Sequence, residues 1–439
     1  MGGYRLTSLS AWRIWQLREN MDSDSAPVVA LDLNFGRSDE IQWSQELRLA
    51  SPTGGRLDYV VGLYYFDSEL RGNNGQEGSL SLVTVAPIFS RYFIATNTNQ
   101  SEAAFGQATF HFTDALRLIS GARYTQDEVA MDYVRSFYPG TLPSSPPLTL
   151  QPSTSATNMS WREGLEYDLW PGAMAYATVS RGYKGPGFNA LQAATTAALT
   201  PVRPEIPTSY ELGLRMSLFE RRLSLNLTLF DTRFKDFQGQ FFNPFVPPLG
   251  AVVVGNAGVL RTRGAELEWA TRLSTGMTFS GGVSYIDAVY QNFSGAPCWG
   301  TPATQPGCVG GIFDASGVML QNSPKWTYHV EGRYERDLRV GLSGFVSAGW
   351  YWRGPVNYSL GDPNMIGNAY GLLGGVIGVS GDDGGWQLSV YVRNLLDRSF
   401  TGTILATPLS PGSYSQYPAE DTRRMVGIAA AYRMGRGSH

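Results

Sequence analysis

In Leu223-Ser224-Leu225-Asn226-Leu227-Thr228-Leu229 every odd position is leucine and every even position is polar. Successive side chains of a β-strand point to opposite faces, so this segment predicts a strand with one oily and one wet side. The alternation recurs in Trp386-Gln387-Leu388-Ser389-Val390-Tyr391-Val392-Arg393, in Leu116-Arg117-Leu118 and, less cleanly, over Val426–Tyr432. Turn-forming residues mark tight connections at 52–55, 113–114, 171–172, 220–221, 274–276, 336–337 and 382–385. Between them lie long Gly/Pro/Asn-rich segments at 18–40, 70–96, 137–155, 185–206, 239–255, 291–322, 355–367 and 397–420. Short and long connections alternate throughout, as in barrels with tight turns on one membrane side and long loops on the other. A strand on each side of every connection gives about 16 strands, from near Tyr4–Leu17 to near Thr422–Met434. Closure matters in such a wall, because an open strand edge in lipid leaves backbone groups unpaired at several kcal/mol each.

Composition agrees with a partly non-aqueous surface. Of 439 residues, 16% are charged, against roughly 25% in an average soluble domain. The longest apolar runs fall far short of the roughly 18 residues of a membrane-spanning helix. The predicted fold is therefore all-β, a transmembrane antiparallel β-barrel. Aromatic groups such as Tyr64-Tyr65-Phe66, Phe241-Phe242 and Trp350-Tyr351-Trp352 suit an interfacial girdle or, alternatively, packing in a soluble sheet. The net charge of −3, with Lys184, Lys235 and Lys325 as the only lysines and no basic block, argues against nucleic acid as a partner.

Catalysis is unsupported. His111, His329 and His439 are scattered, no nucleophile elbow or phosphate-cradling loop is present, and no metal or cofactor residues stand out. His111 reads as a solvated rim residue beside the 113–114 turn. Cys298 and Cys308 share one Gly/Pro-rich segment, which suggests a local disulfide or, alternatively, two unpaired loop thiols. In Gly264-Ala265-Glu266-Leu267-Glu268-Trp269 the carboxylates alternate with apolar residues, so Glu266 and Glu268 belong to a polar lumen wall. Arg117, Arg123, Arg215 and Arg393 could face them from other strands. Gly121, Gly282 and Gly344 could permit bending or close backbone approach.

Several segments resemble the TonB-dependent outer-membrane receptor family: Gln45-Glu46-Leu47-Arg48-Leu49, Ser180-Arg181-Gly182-Tyr183-Lys184-Gly185-Pro186-Gly187-Phe188-Asn189, and Pro204-Glu205 followed by Tyr210-Glu211-Leu212-Gly213. The order continues through Asn256-Ala257-Gly258, Arg263-Gly264-Ala265-Glu266-Leu267-Glu268, Ser323-Pro324-Lys325-Trp326 and Val392-Arg393-Asn394-Leu395-Leu396-Asp397. Each is weak alone; their order across nearly the whole chain is specific. The resemblance implies a Gram-negative outer-membrane barrel that takes up a scarce external small molecule, such as a ferric siderophore. It implies as partners outer-membrane lipid, the barrel-assembly machinery and, in an intact parent, the TonB complex. The family barrel has 22 strands behind an N-terminal plug domain. Residues 1–434 therefore read as a partial barrel without its plug, 435–439 as a short tail, and the chain as a fragment or truncated product. Residues 291–322 and the aromatic 237–249 are the expected external contacts. The rival readings are a passive 16-stranded porin and a soluble, β-propeller-like carbohydrate-active protein.

Overall fold

The computed structural model describes residues 3–21, 33–78, 89–136, 147–188, 200–243, 251–300, 303–381, 384–406, 412–419 and 422–433. Asn189, the 382–383 turn residues, Met434 and the tail 435–439 lie outside the described residues, as does the Phe242 side chain.

The main sheet has 17 strands, of which the three-residue Leu148–Leu150 only continues a neighbour's ladder. The long strands are β1 (Arg5–Met21), β2 (Leu33–Ala50), β3 (Leu57–Gly78), β4 (Phe89–His111) and β5 (Leu116–Ser136). Then come β6 (Ser153–Trp170), β7 (Ala173–Arg181), β8 (Ile206–Leu218), β9 (Leu223–Lys235), β10 (Val259–Ser274) and β11 (Met277–Asn292). The series closes with β12 (Trp326–Arg339), β13 (Leu342–Arg353), β14 (Tyr370–Ser380), β15 (Trp386–Arg393) and β16 (Met425–Tyr432). Each pairs antiparallel with the next in sequence, a meander whose short and long connections alternate. This is the barrel wall that the alternation predicts. Among the described residues β1 pairs only with β2, and β16 only with β15, so these two form the sheet edges.

Register fixes which side chains share a face. Leu47 of β2 lies opposite Leu63 of β3, and Leu229 of β9 lies between Leu212 of β8 and Ala265 of β10. Val390 of β15 lies between Ile377 and Ile428. These outward side chains are not a core: Leu63 is 61% exposed, Leu212 55% and Ile428 75%. None of the four leucines of 223–229 is buried. A water-soluble sheet would cover such a face; a lipid-facing wall leaves it to the acyl chains. Buried apolar clusters lie instead toward the long connections. One holds Phe241, Leu260, Tyr290 and Phe293; the other holds Phe93, Met131 and Tyr133.

Strand boundaries depart from the sequence reading. β3 and β4 continue through most of 70–96, and β1 and β2 through much of 18–40. Beyond the lipid both faces of a strand meet water, so the oily/wet alternation stops while the hydrogen-bond ladder does not. Gly75, for example, remains paired with Phe35 and Tyr92. The connection expected at 336–337 lies at Val340-Gly341, where Gly341 takes φ 81°. The aromatic triplets split between faces. Tyr65, Trp350 and Trp352 point outward, but Phe241 is buried among Tyr290 and Phe293 and belongs to no girdle. His111 is no free rim residue, because its Nε2 lies 3.1 Å from Asp58 Oδ2.

Candidate functional site

The opposite face of the wall is polar. Register places Arg117, Arg123, Arg215, Glu266, Glu268 and Arg393 on it, but they do not form the expected pairs. Arg117 bonds Asp168 through both terminal nitrogens, at 2.6 and 3.1 Å, and Glu166 through Nε at 3.1 Å. All three residues lie near the tight turns, where adjacent β5 and β6 bring the opposite charges together. Glu266 accepts from Ser284 at 3.2 Å. Arg215 stacks over Tyr176, 5.0 Å from the ring centre, and the Tyr176 hydroxyl donates to Glu211 at 2.6 Å. Glu268 stands in line with Arg215 across Asn226. Arg393 lies 5.7 Å from the Tyr391 ring.

Five of the residues quoted for the family resemblance, Asn256, Ala257, Gly258, Asn394 and Asp397, serve the fold. Asn256 accepts from the Arg203 amide, and its own amide donates to the Arg203 and Asp236 carbonyls. Ala257 beside it is fully buried. At Gly258, φ is 40° and a Cβ would fall 2.1 Å from the Asn292 carbonyl oxygen. Asn394 and Asp397 both have positive φ; Asn394 clasps the Arg398 backbone and Asp397 accepts from the Arg424 amide. Arg263 lies on the outward face, away from the polar wall.

The most developed constellation is a cavity of about 430 Å³ lined by Tyr64, Phe66, Asn99, Arg123, Asp127 and Tyr183, among others. Strands β3, β4 and β5 supply the wall. The chain leaving β7 supplies the cover by folding back over the polar face. Phe188 packs on the cluster of Phe93, Met131 and Tyr133. Lys184 bridges Glu205, and Gly187 bridges Val202. Gly185 permits the approach, since a Cβ there would sit 2.7 Å from Asp127 Oδ2. Arg123 lies 5.0 Å from the Tyr64 ring and 5.7 Å from the Phe105 ring, and its Nε donates to Thr125. Asp127 is 8% exposed. The Tyr183 hydroxyl and Asn99 Oδ1 are buried without an aligned hydrogen-bond partner. Burial and the neighbouring Asp127 carboxylate push the Tyr183 phenol above its usual range. A cation, a carboxylate, orphaned polar atoms and aromatic faces thus converge on one cavity, the pattern of a small-molecule site. A groove of about 690 Å³ beside Leu165, Leu212 and Leu229 opens on the outward wall and lacks this convergence.

Sequence reasoning found Arg123, quoted Tyr183 only as part of the family resemblance, and missed Asp127. Extending the Leu116-Arg117-Leu118 alternation along β5 places Asp127 on the face of Arg117 and Arg123. Tyr183 acts through a chain reversal that carries no periodic signal. Replacing Tyr183 by Phe removes a buried hydroxyl that has no aligned partner, so the unfolding free energy from a urea titration is expected to hold or rise, by up to about 1 kcal/mol. A fall of that size would show a hydrogen bond at this hydroxyl.

Toward the long connections, the described residues of 237–249 pack against described residues of 291–322 and the end of β11. Phe237 and Phe241 contact Tyr290, and Cys298 is joined to Cys308. The buried Gln305 accepts from the amides of Trp299 and Gly300. Phe237, Phe241 and Phe293 are thereby engaged in packing, while Val309 and Ile312 remain exposed.

Residues 3–395 match the family model described as TonB dependent receptor-like, β-barrel. The pesticin receptor of Yersinia enterocolitica is 24% identical over 387 residues, 85% of this chain and 53% of that protein. The ferric-pyoverdine M114 receptor PbuA of Pseudomonas sp. strain M114 is 25% identical over 305 residues, 69% of this chain and 33% of that one. The chain thus spans about half the length of the pesticin receptor it matches. The ferric yersiniabactin uptake receptor FyuA from Yersinia pestis superposes with a TM-score of 0.78 at 20% identity, covering 98% of this chain and 59% of that structure.

Proposed function

From the premise that the chain belongs to the TonB-dependent receptor-like β-barrel family, we propose that it forms most of the wall of an outer-membrane uptake receptor in a Gram-negative bacterium. The ligand is a scarce external small molecule, with a ferric siderophore as the first candidate. The observation that carries this reading is the cavity of Tyr64, Arg123, Asp127 and Tyr183 on the polar face of a sheet whose other face is apolar and exposed. Arg123 over Tyr64 suits an anionic, planar chelating group, held by charge and ring contact together. Among the described residues no cluster of three His, Cys, Asp or Glu side chains could hold a metal, so iron would arrive already chelated. The names of the relatives favour the same cargo, being receptors for ferric-pyoverdine and ferric yersiniabactin. Arg117, Arg215, Glu266, Glu268 and Arg393 would form the polar passage beside the cavity. The exposed 309–312 tip would be the outermost loop contact. Coupling to TonB belongs to a whole receptor with a plug domain, and binding to this wall does not require it.

The test is a titration of the vesicle-inserted chain with ferric yersiniabactin and with ferripyoverdine, read by quenching of intrinsic fluorescence. Saturable binding of at least one is expected, weakened about tenfold or more by Arg123→Ala, the scale of one hydrogen bond to a charged group. Absence of saturable binding to either, or recovery of the chain in the soluble fraction of expressing cells, would overturn the proposal.

A further inference from the structure

The outward wall changes character abruptly along three neighbouring strands. Going toward the long connections, the outward positions of β9 run Leu225, Leu227, Leu229 and then Asp231 and Arg233. Those of β10 run Trp269, Leu267, Ala265 and then Arg263 and Arg261. On β11, Val283 and Tyr285 give way to Asp287, and Lys325, just before β12, places its Nζ 3.5 Å from Asp287 Oδ1. Aromatic pairs mark the same boundary. Tyr285 lies 4.7 Å from Trp326, and Tyr328 stacks on Trp352 at 5.1 Å. Rings of this kind settle where acyl chains meet headgroups, so the charges stand one step into the headgroup layer.

Their balance is cationic in a chain whose net charge is −3. Arg233, Lys235, Arg261, Arg263 and Lys325 face only Asp231 and Asp287 from the strands that carry the patch. Arg261 grips Asp231 with Nε and Nη2. Asp287 is shared by Arg263, at 3.3 Å, and Lys325. The neighbouring Arg203 and Asp236 pair with each other at 2.6 Å. Glu205 is buried and accepts from the Gln238 amide. Glu211, Glu266 and Glu268 lie on the opposite face. Three positive charges are therefore unmatched, while Arg263 is 56% and Lys325 47% exposed at the side chain. Adjacent strands lie about 4.8 Å apart, so the cations cover a width of roughly 10–15 Å, that of a lipid headgroup or two.

We propose that this patch is a binding site for phosphorylated lipid headgroups of the leaflet facing the long connections. The two aspartates hold the guanidinium planes in place, and the free guanidinium and ammonium N–H groups meet phosphate oxygens, for which arginine forks are well matched. The site anchors the barrel against vertical displacement and fixes its rotation relative to bound lipid. It rests on the membrane-barrel reading and adds a lipid chemistry to it.

The chain is inserted into vesicles of phosphatidylcholine alone and of phosphatidylcholine mixed with phosphatidic acid, whose headgroup is a phosphomonoester. Insertion is read by heat-modifiable mobility, and retained phosphatidic acid by mass spectrometry after detergent extraction. The chain is expected to insert in both and to retain phosphatidic acid on extraction, less so at high salt. Arg233→Gln/Lys325→Gln, which leaves the Arg261–Asp231 and Arg263–Asp287 pairs in place, is expected to insert normally and retain about tenfold less. Arg221→Gln/Arg222→Gln, at the opposite rim, should retain as the parent does. Equal retention by all three forms after normal insertion would overturn the lipid site alone. Failure of the parent to insert in phosphatidylcholine would overturn the barrel reading and the lipid site with it.

Discussion

Replacing Leu212 by Arg is expected to lower the stability of the vesicle-inserted protein by about 2–4 kcal/mol, the cost of a cation on the lipid face of a barrel wall. Leu212 is 55% exposed, and in a water-soluble sheet a charge at so open a site would change stability by no more than about 0.5 kcal/mol. The two readings thus differ in size of effect at one residue. Its neighbours across the ladder, Ala177 and Leu229, are uncharged, and the nearest outward carboxylates are already engaged, Asp231 by Arg261 and Glu163 by Ser120. It could reach water only by stretching along the wall. Ser224→Arg, on the polar face of the next strand, is the matched control and should stay within about 0.5 kcal/mol. Urea midpoints in phosphatidylcholine vesicles provide the measurement. Equal tolerance of both substitutions would remove the lipid from the outward wall.

How much of this was legible in the sequence depends on where the chain meets lipid. Across the bilayer each strand has one face in oil and one in water, so residues such as Leu223–Leu229 write the strand and its orientation directly. Five of the six tight turns that lie wholly among the described residues could be placed for the same reason, because the alternation breaks sharply there. Beyond the bilayer the signal is lost although the structure persists. Leu70–Gln76 is polar and glycine-rich but stays in the β3 ladder, held by backbone bonds that no side-chain pattern reports. The polar face was legible as a face: alternation alone puts Arg117, Arg123, Glu266 and Glu268 there. Their partners were not legible. Arg117 meets Glu166 and Asp168 because β5 and β6 are neighbours in a particular register, and register between strands is set by turns and by the whole sheet. The cavity was the least readable part, since Tyr183 reaches Asp127 only after the chain leaves β7 and turns back. The glycines carried more information than their frequency suggested. Gly282 lies under the His329 ring, where a Cβ would fall 2.7 Å from Cε1, whereas Gly121 would meet nothing closer than 3.5 Å.

That difference among glycines leads to the second large effect. Gly264→Ala is expected to destabilise the barrel by about 3 kcal/mol or more, at the upper end for overpacking in a close-packed structure. A Cβ at this position would fall 2.0 Å from the Tyr285 carbonyl oxygen and 2.9 Å from the Phe230 ring. The phenylalanine could turn aside, but the carbonyl belongs to the ladder that joins β10 to β11 and cannot move without breaking it. The strain would spread to Glu266 and Arg263 on the same strand, so positions on the polar and the outward face would shift together. Gly255→Ala separates this contact from the general effect of adding a methyl group to a glycine in a strand. Gly255 lies in the 251–256 strand with open space where its Cβ would be, and its replacement should cost nothing or stabilise slightly by narrowing the unfolded ensemble. Urea midpoints of both variants in vesicles, with the heat-modifiable fraction as a count of folded barrels, read the difference. A Gly264→Ala protein as stable as Gly255→Ala would mean that β10 and β11 do not approach each other at this register.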